Sequence, residues 1–157
     1  MKSILIIGYG NQTRSDDGVG WYVADKIEKE LSSKRDSASL SSTEVNLLKL
    51  HQLTIELAEE VKDREFVIFV DAHVNDDKDW LISEKLNPNF KRGLTMHYLT
   101  PETLLAICEG LYNKAPKAHL FSIKGLNFDF GEKLSNQTQN AADQAVEQII
   151  KMVRAMD

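Results

Sequence analysis

Two acidic positions and a set of imidazoles carry the chemistry of this chain. Asp16 and Asp17 lie in a glycine-flanked stretch, Gly8-Tyr9-Gly10-Asn11-Gln12-Thr13-Arg14-Ser15-Asp16-Asp17-Gly18-Val19-Gly20. Asp71 ends the apolar run Phe66-Val67-Ile68-Phe69-Val70, and His97 stands just before the helix start at Thr100-Pro101. His51 and His73 follow other strands. Two carboxylates and one imidazole form an O/O/N set that suits a borderline divalent metal such as nickel, zinc or cobalt. Such a set leaves coordination positions open for water or substrate. One aspartate of the Asp16-Asp17 pair suffices to cap a helix start, which makes Asp17 the better ligand candidate. Asp71 is harder to explain as mere structure, because an unpartnered carboxylate at the end of a buried strand is costly. Each histidine also has a plain reading as a packed side chain, and His119, which opens a strand, is the weakest candidate.

Those residues need a scaffold that brings them together. Ile4 to Ile7 reads as a strand covered on both faces. Val19, Val23, Ile27 and Leu31 recur every four residues and mark a helix. The serine-rich stretch from Ser32 to Thr43 is a surface loop, Val45 to Leu50 a second strand, and Thr54 to Lys62 a short helix. Phe66 to Val70 is a third strand, and Trp80 to Leu86 pairs at one side of the sheet. A further helix starts at Thr100, with Pro101 at its first position and Glu102 favoured by the dipole, and stops near Gly110. His119 to Ile123 is a strand, and a last helix runs from about Asn136 to the end, burying Ala142, Val146, Ile149 and Val153. This alternation predicts an α/β three-layer α-β-α sandwich, a mostly parallel twisted sheet with helices on both faces. In such sheets ligands gather outside the carboxyl ends of the strands, the rim to which Asp17, Asp71 and His97 are all assigned.

Composition narrows the field further. A chain of 157 residues with 42% hydrophobic and 27% charged residues fits one globular domain spanning 1–157. The net charge of −5 argues against nucleic acid or anionic lipid as a partner. No apolar stretch is long enough to span a bilayer. The single cysteine, Cys108, sits among leucines on a helix and reads as a core thiol in a cytoplasmic protein. A dinucleotide reading fails on three counts. Thr13 stands where the third glycine belongs, no acid ends the second strand, and two aspartates sit where a pyrophosphate needs bare N–H donors. No G-x-S-x-G elbow or H-E-x-x-H pair is present.

The stretch Gly8-Tyr9-Gly10-Asn11 to Arg14-Ser15-Asp16-Asp17-Gly18-Val19-Gly20 resembles the N-terminal signature of the [NiFe]-hydrogenase maturation proteases. Val70-Asp71-Ala72, His97 with Leu99-Thr100-Pro101, and Asn127-Phe128-Asp129-Phe130-Gly131 agree with that family in order. His51-Gln52-Leu53-Thr54 looks like the branch serving bidirectional, NAD(P)-linked hydrogenases. The resemblance implies an endopeptidase that trims the C-terminal extension of the large-subunit precursor once nickel is in place. It also implies that Asp17, Asp71 and His97 contact that nickel, which the substrate carries, with no organic cofactor. Two features depart from the family: Leu50-His51-Gln52 replaces the Asp-Gly-Gly of many relatives, and His73 stands where they often have an apolar residue. The rival readings are a non-cleaving nickel checkpoint that docks on the precursor, and a nucleotide-binding α/β module.

Overall fold

The computed structural model describes residues 1–33, 40–74, 76–90 and 99–157. Among them, five strands form one sheet: β1 (Lys2–Tyr9), β2 (Thr43–Leu50), β3 (Phe66–His73), β4 (Leu81–Leu86) and β5 (Lys117–Lys124). Their order across the sheet is β2-β1-β3-β5-β4. All neighbours run parallel except β4, which lies antiparallel to β5 at the edge. The described helices are α1 (Val19–Ser33), α2 (Leu57–Val61), α3 (Pro101–Tyr112) and α4 (Asn136–Met156), and a 3-10 turn at Ser15–Gly18 leads into α1.

Two-residue alternation along the strands divides the core into two layers. Ile4, Ile6, Ile68, Val70, Phe121 and Ile123 face Val23 and Ile27 of α1 and Val146, Ile149 and Val153 of α4. Leu5, Ile7, Val67, Phe69 and Leu120 face Leu57 and Val61 of α2 and Leu104, Leu105 and Cys108 of α3. The mostly parallel α/β sandwich expected from the pattern is the fold observed. Cys108 is a buried core thiol, as its setting indicated.

Several boundaries differ from the hydrophobic pattern, and three of them show why. The second helix is shorter than 54–62, because Thr54, Ile55 and Glu56 form the turn that accepts the first N–H groups of α2. The third strand continues past Val70, since Asp71, Ala72 and His73 pair in register with Ser122, Ile123 and Lys124 of β5. The fifth strand also begins earlier, at Lys117. Backbone pairing sets these lengths, and side-chain polarity conceals it.

The sheet's geometry locates the site. From β1 the chain crosses through α1 to β2 on one side, then returns through α2 to β3 on the other. The carboxyl ends of β1 and β3 therefore flank a topological switch point, where open α/β sheets form their clefts. Helix α1 sits hard against this point. A Cβ on Gly8 would lie 2.1 Å from the Gly20 carbonyl oxygen, and one on Gly20 would lie 2.6 Å from that of Val70. Only bare backbone fits at both positions.

Candidate active site

A cavity of about 300 Å³ opens at the switch point. Asp17 reaches it from the turn before α1, and Asp71 from β3. Tyr9 and Gly10 line it from the end of β1, and His51 and Gln52 from the end of β2. The two aspartates that the rim argument singled out thus share one hollow.

The loop that carries Asp17 is bent by local chemistry. Gly10 adopts φ +144°, and a Cβ there would strike the Asp17 carbonyl oxygen at 2.1 Å, so glycine alone permits the approach. Asn11 donates its backbone N–H to Asp17 Oδ2 at 2.8 Å. Asn11 Oδ1 in turn accepts from the backbone and hydroxyl of Thr13. The Trp21 indole N–H bridges the carbonyls of Gly10 and Leu50, which ties this loop to the end of β2. A backbone N–H that a nucleotide phosphate would take is therefore already committed to a carboxylate.

Asp71 and Tyr9 meet because of register. Gly8 pairs with Val70, so the next residues stand side by side, and alternation turns both toward the α3 face. The Tyr9 hydroxyl donates to Asp71 Oδ2 at 2.7 Å. Asp71 Oδ1 is buried and has no hydrogen-bond partner among the described residues. Burial pushes the Asp71 carboxyl up to about 6 against the pull of the Tyr9 hydroxyl, and the charges of Glu102 and Asp17 add to the rise. Burial, and then the Asp71 charge, hold the Tyr9 phenol well above its ordinary value, so it remains a donor.

Ser122 faces Asp71 across the β3–β5 ladder, but its hydroxyl is also 2.9 Å from His73 Nδ1. His73 Nε2 lies 3.1 Å from the Asp79 carbonyl and must donate to it. Burial lowers the His73 pKa, so the ring is neutral and its Nδ1 accepts the Ser122 proton. That assignment leaves Asp71 Oδ1 without a donor, in agreement with its unpartnered state. His73 is thus a linked structural histidine outside the cavity lining, whereas His51 is exposed at the cavity mouth. His119 lies within β5, 2.7 Å from the Ser83 hydroxyl of the edge strand. His97 falls outside the described residues. Among those described, no group of three His, Cys, Asp or Glu side chains is placed to hold a metal ion.

Asp16 shows what its neighbour does not do. It is fully buried, and its carboxylate accepts from the backbones of Leu126, Asn127 and Ser135 and from the Ser135 hydroxyl, at 2.7–2.9 Å. Burial alone would raise its pKa, but these hydrogen bonds outweigh that and hold it below the ordinary carboxylate value. Asp16 therefore fastens the loop before α4 to the turn before α1. Glu102, the acid assigned to the α3 dipole, is also buried and acts electrostatically on both Asp71 and Tyr9. The Tyr9–Asp71 pair could have been found from strand alternation; Glu102 gave no signal beyond its place in a first turn.

Solved structures share this architecture. The hydrogenase maturating endopeptidase HybD from E. coli has a TM-score of 0.75 at 17% identity, covering 99% of this chain and 94% of that one. The [NiFe] hydrogenase maturation protease HybD from Thermococcus kodakarensis has a TM-score of 0.69 at 19% identity, covering 98% and 99%. The HycI maturation protease from Thermococcus kodakarensis KOD1 has 0.72 at 18%, covering 98% and 93%. The chain has their fold. No family model matches it, and no curated protein matches it either. Among the described residues, no helix is long and apolar enough to cross a membrane.

Proposed function

We propose that this protein is an endopeptidase that removes the C-terminal extension of a [NiFe]-hydrogenase large-subunit precursor after nickel insertion. The observation that carries this reading is the pair Asp17 and Asp71, converging on one cavity at the β1/β3 switch point of a fold shared with maturation endopeptidases. The metal is part of the substrate, held by the precursor, and Asp17, Asp71 and His97 contact it from the enzyme side. The unpartnered Oδ1 of Asp71 is an oxygen open to such a contact or to a water molecule. Asp71 is also the acid whose carboxyl is raised toward neutrality, which suits it to exchange a proton with attacking water. The turn before α1 and the end of β3 hold the two aspartates in one cavity before the substrate arrives, which is the arrangement positioning catalysis needs.

The same reading assigns the protein to the cytoplasm and, through His51 and Gln52 at the cavity mouth, to the branch that serves NAD(P)-linked hydrogenases. The deciding experiment incubates the protein with nickel-loaded and nickel-free precursor and follows mass. Cleavage of the loaded form alone supports the endopeptidase. Stable association without a change in mass supports the checkpoint instead.

A further inference from the structure

The cavity contains a cation that the proposed reading leaves without a task. Arg14 lines the same hollow as Asp17 and Asp71. Its Nε donates to the Phe128 carbonyl at 3.2 Å, which fixes the direction of the side chain. Its terminal amino groups make no hydrogen bond or ion pair with a described residue. Arg14 shares the hollow with Asp17 and Asp71, and none of the ion pairs among the described residues joins it to either.

The backbone shows how it is held. Ser15, the next residue, adopts φ 51°, a left-handed conformation that a non-glycine residue takes only when its surroundings impose it. Its N–H donates to the Gly131 carbonyl and its hydroxyl to the Asp129 carbonyl, each at 2.8 Å. Gly131 returns a hydrogen bond to the Thr13 carbonyl. The Arg14 backbone is therefore clamped between two loops, with Phe128 of the same second loop gripping its side chain.

We propose that Arg14 is the oxyanion-binding residue of the cleavage reaction, its two terminal amino groups taking the carbonyl oxygen of the scissile peptide bond. This inference rests on the endopeptidase reading above. Water adds to the carbonyl carbon and gives one proton to a cavity carboxylate, while the carbonyl π electrons move to the oxygen facing Arg14. Collapse restores the double bond and breaks the C–N bond. The departing amine takes the proton from the carboxylate, and the new acid ionises. A planar guanidinium matches the two oxygens of that product carboxylate as well as the single oxyanion. The ligand class of the Arg14 subsite is thus a peptide ending in a free carboxylate.

Arg14→Gln and Arg14→Lys test the assignment, with circular dichroism to establish that each variant is folded. With nickel-loaded precursor, Arg14→Gln lowers kcat about a hundredfold and leaves KM within about threefold, the signature of a lost transition-state donor. Arg14→Lys, which keeps the charge but not the fork, falls between it and the wild type. An unchanged kcat, with or without a raised KM, overturns the proposal. Calorimetric titration with two peptides matching the mature end of the large subunit, one a free acid and one an amide, gives a readout without catalysis. The wild type binds the acid at least about tenfold more tightly, and Arg14→Gln binds the two alike; equal binding by the wild type overturns the proposal. If the wild type cleaves no precursor, the endopeptidase reading fails by itself. The acid–amide comparison then still decides whether Arg14 binds a carboxylate.

Discussion

The two ends of the sheet make opposite use of their polar residues. At the amino edge of the strands lies the roomier hollow, about 590 Å³, bordered by Lys2, Arg64, Lys117, Phe66 and Met156. Two of its cations are engaged in holding the chain together. Arg64 donates to Ser3 Oγ, Asn46 Oδ1 and Glu60 Oε1, and Lys2 donates to the Met156 carbonyl. At the carboxyl rim the cavity is half that size, yet it keeps a buried carboxylate oxygen and a guanidinium fork without described partners. Volume does not mark the site. A buried ionisable oxygen without a described partner does: the amino edge leaves only the neutral Thr43 hydroxyl in that state, whereas the rim leaves a carboxylate.

The sharpest way to break this contrast is to remove the rim carboxylates. Asp17→Ala or Asp71→Ala lowers precursor cleavage by at least about a hundredfold while the circular dichroism spectrum is unchanged. Asp71→Asn should separate function from stability. The folded-state value of Asp71, about 6, lies above the ordinary 3.8, so its ionisation lowers stability progressively between those two values and by a constant amount at higher pH. The amide keeps the Tyr9 hydrogen bond and loses that charge. Urea unfolding at pH 8 is then expected to show a gain of about 1–2 kcal/mol alongside lost cleavage. A loss of stability would contradict the account of Asp71.

Asp16 has the reverse sign. Its folded-state value is lowered, so its contribution is fully present above the ordinary carboxylate range near 4 and drains away as pH falls through the lower folded value. Asp16→Ala strands several buried donors and costs about 3 kcal/mol at pH 7, with a flatter acid limb in the stability profile. At the amino edge, Arg64→Ala costs about 1–2 kcal/mol in urea unfolding and leaves kcat within about twofold. An Arg64 variant that melts normally but fails to cleave would dissolve the distinction between the two ends. The smallest effect is expected at His119, where replacement by Ala leaves cleavage within about twofold, since its ring pairs with Ser83 on the edge strand.

Much of this arrangement was readable from residue order. The apolar run at Ile4–Ile7 and the four-residue spacing of Val19, Val23 and Ile27 identify β1 and α1 because burial dictates both patterns. The rule that ligands meet at the carboxyl rim then pairs Asp17 with Asp71. What escaped were relations between distant segments made through the backbone. Asp16 binds residues more than a hundred positions away, and its neighbourhood offers it only the role of a helix cap. The grip of Phe128 on Arg14 is equally remote. His73 had two readings as a sequence position, as a ligand candidate or as a packed side chain, and only the ladder sets Ser122 beside it.

The contact of Gly8 with Gly20 bears on how this protein tolerates change. Main chain rests on main chain there, so the distance between helix and sheet is fixed by atoms that every residue possesses. Substitutions elsewhere in the interior can be absorbed by repacking without shifting the acidic pair, whereas one methyl group at either glycine would pry the first helix upward and carry Asp17 with it. Drift across generations should therefore be generous in the two apolar layers and nearly frozen at a spot that has no side chain at all.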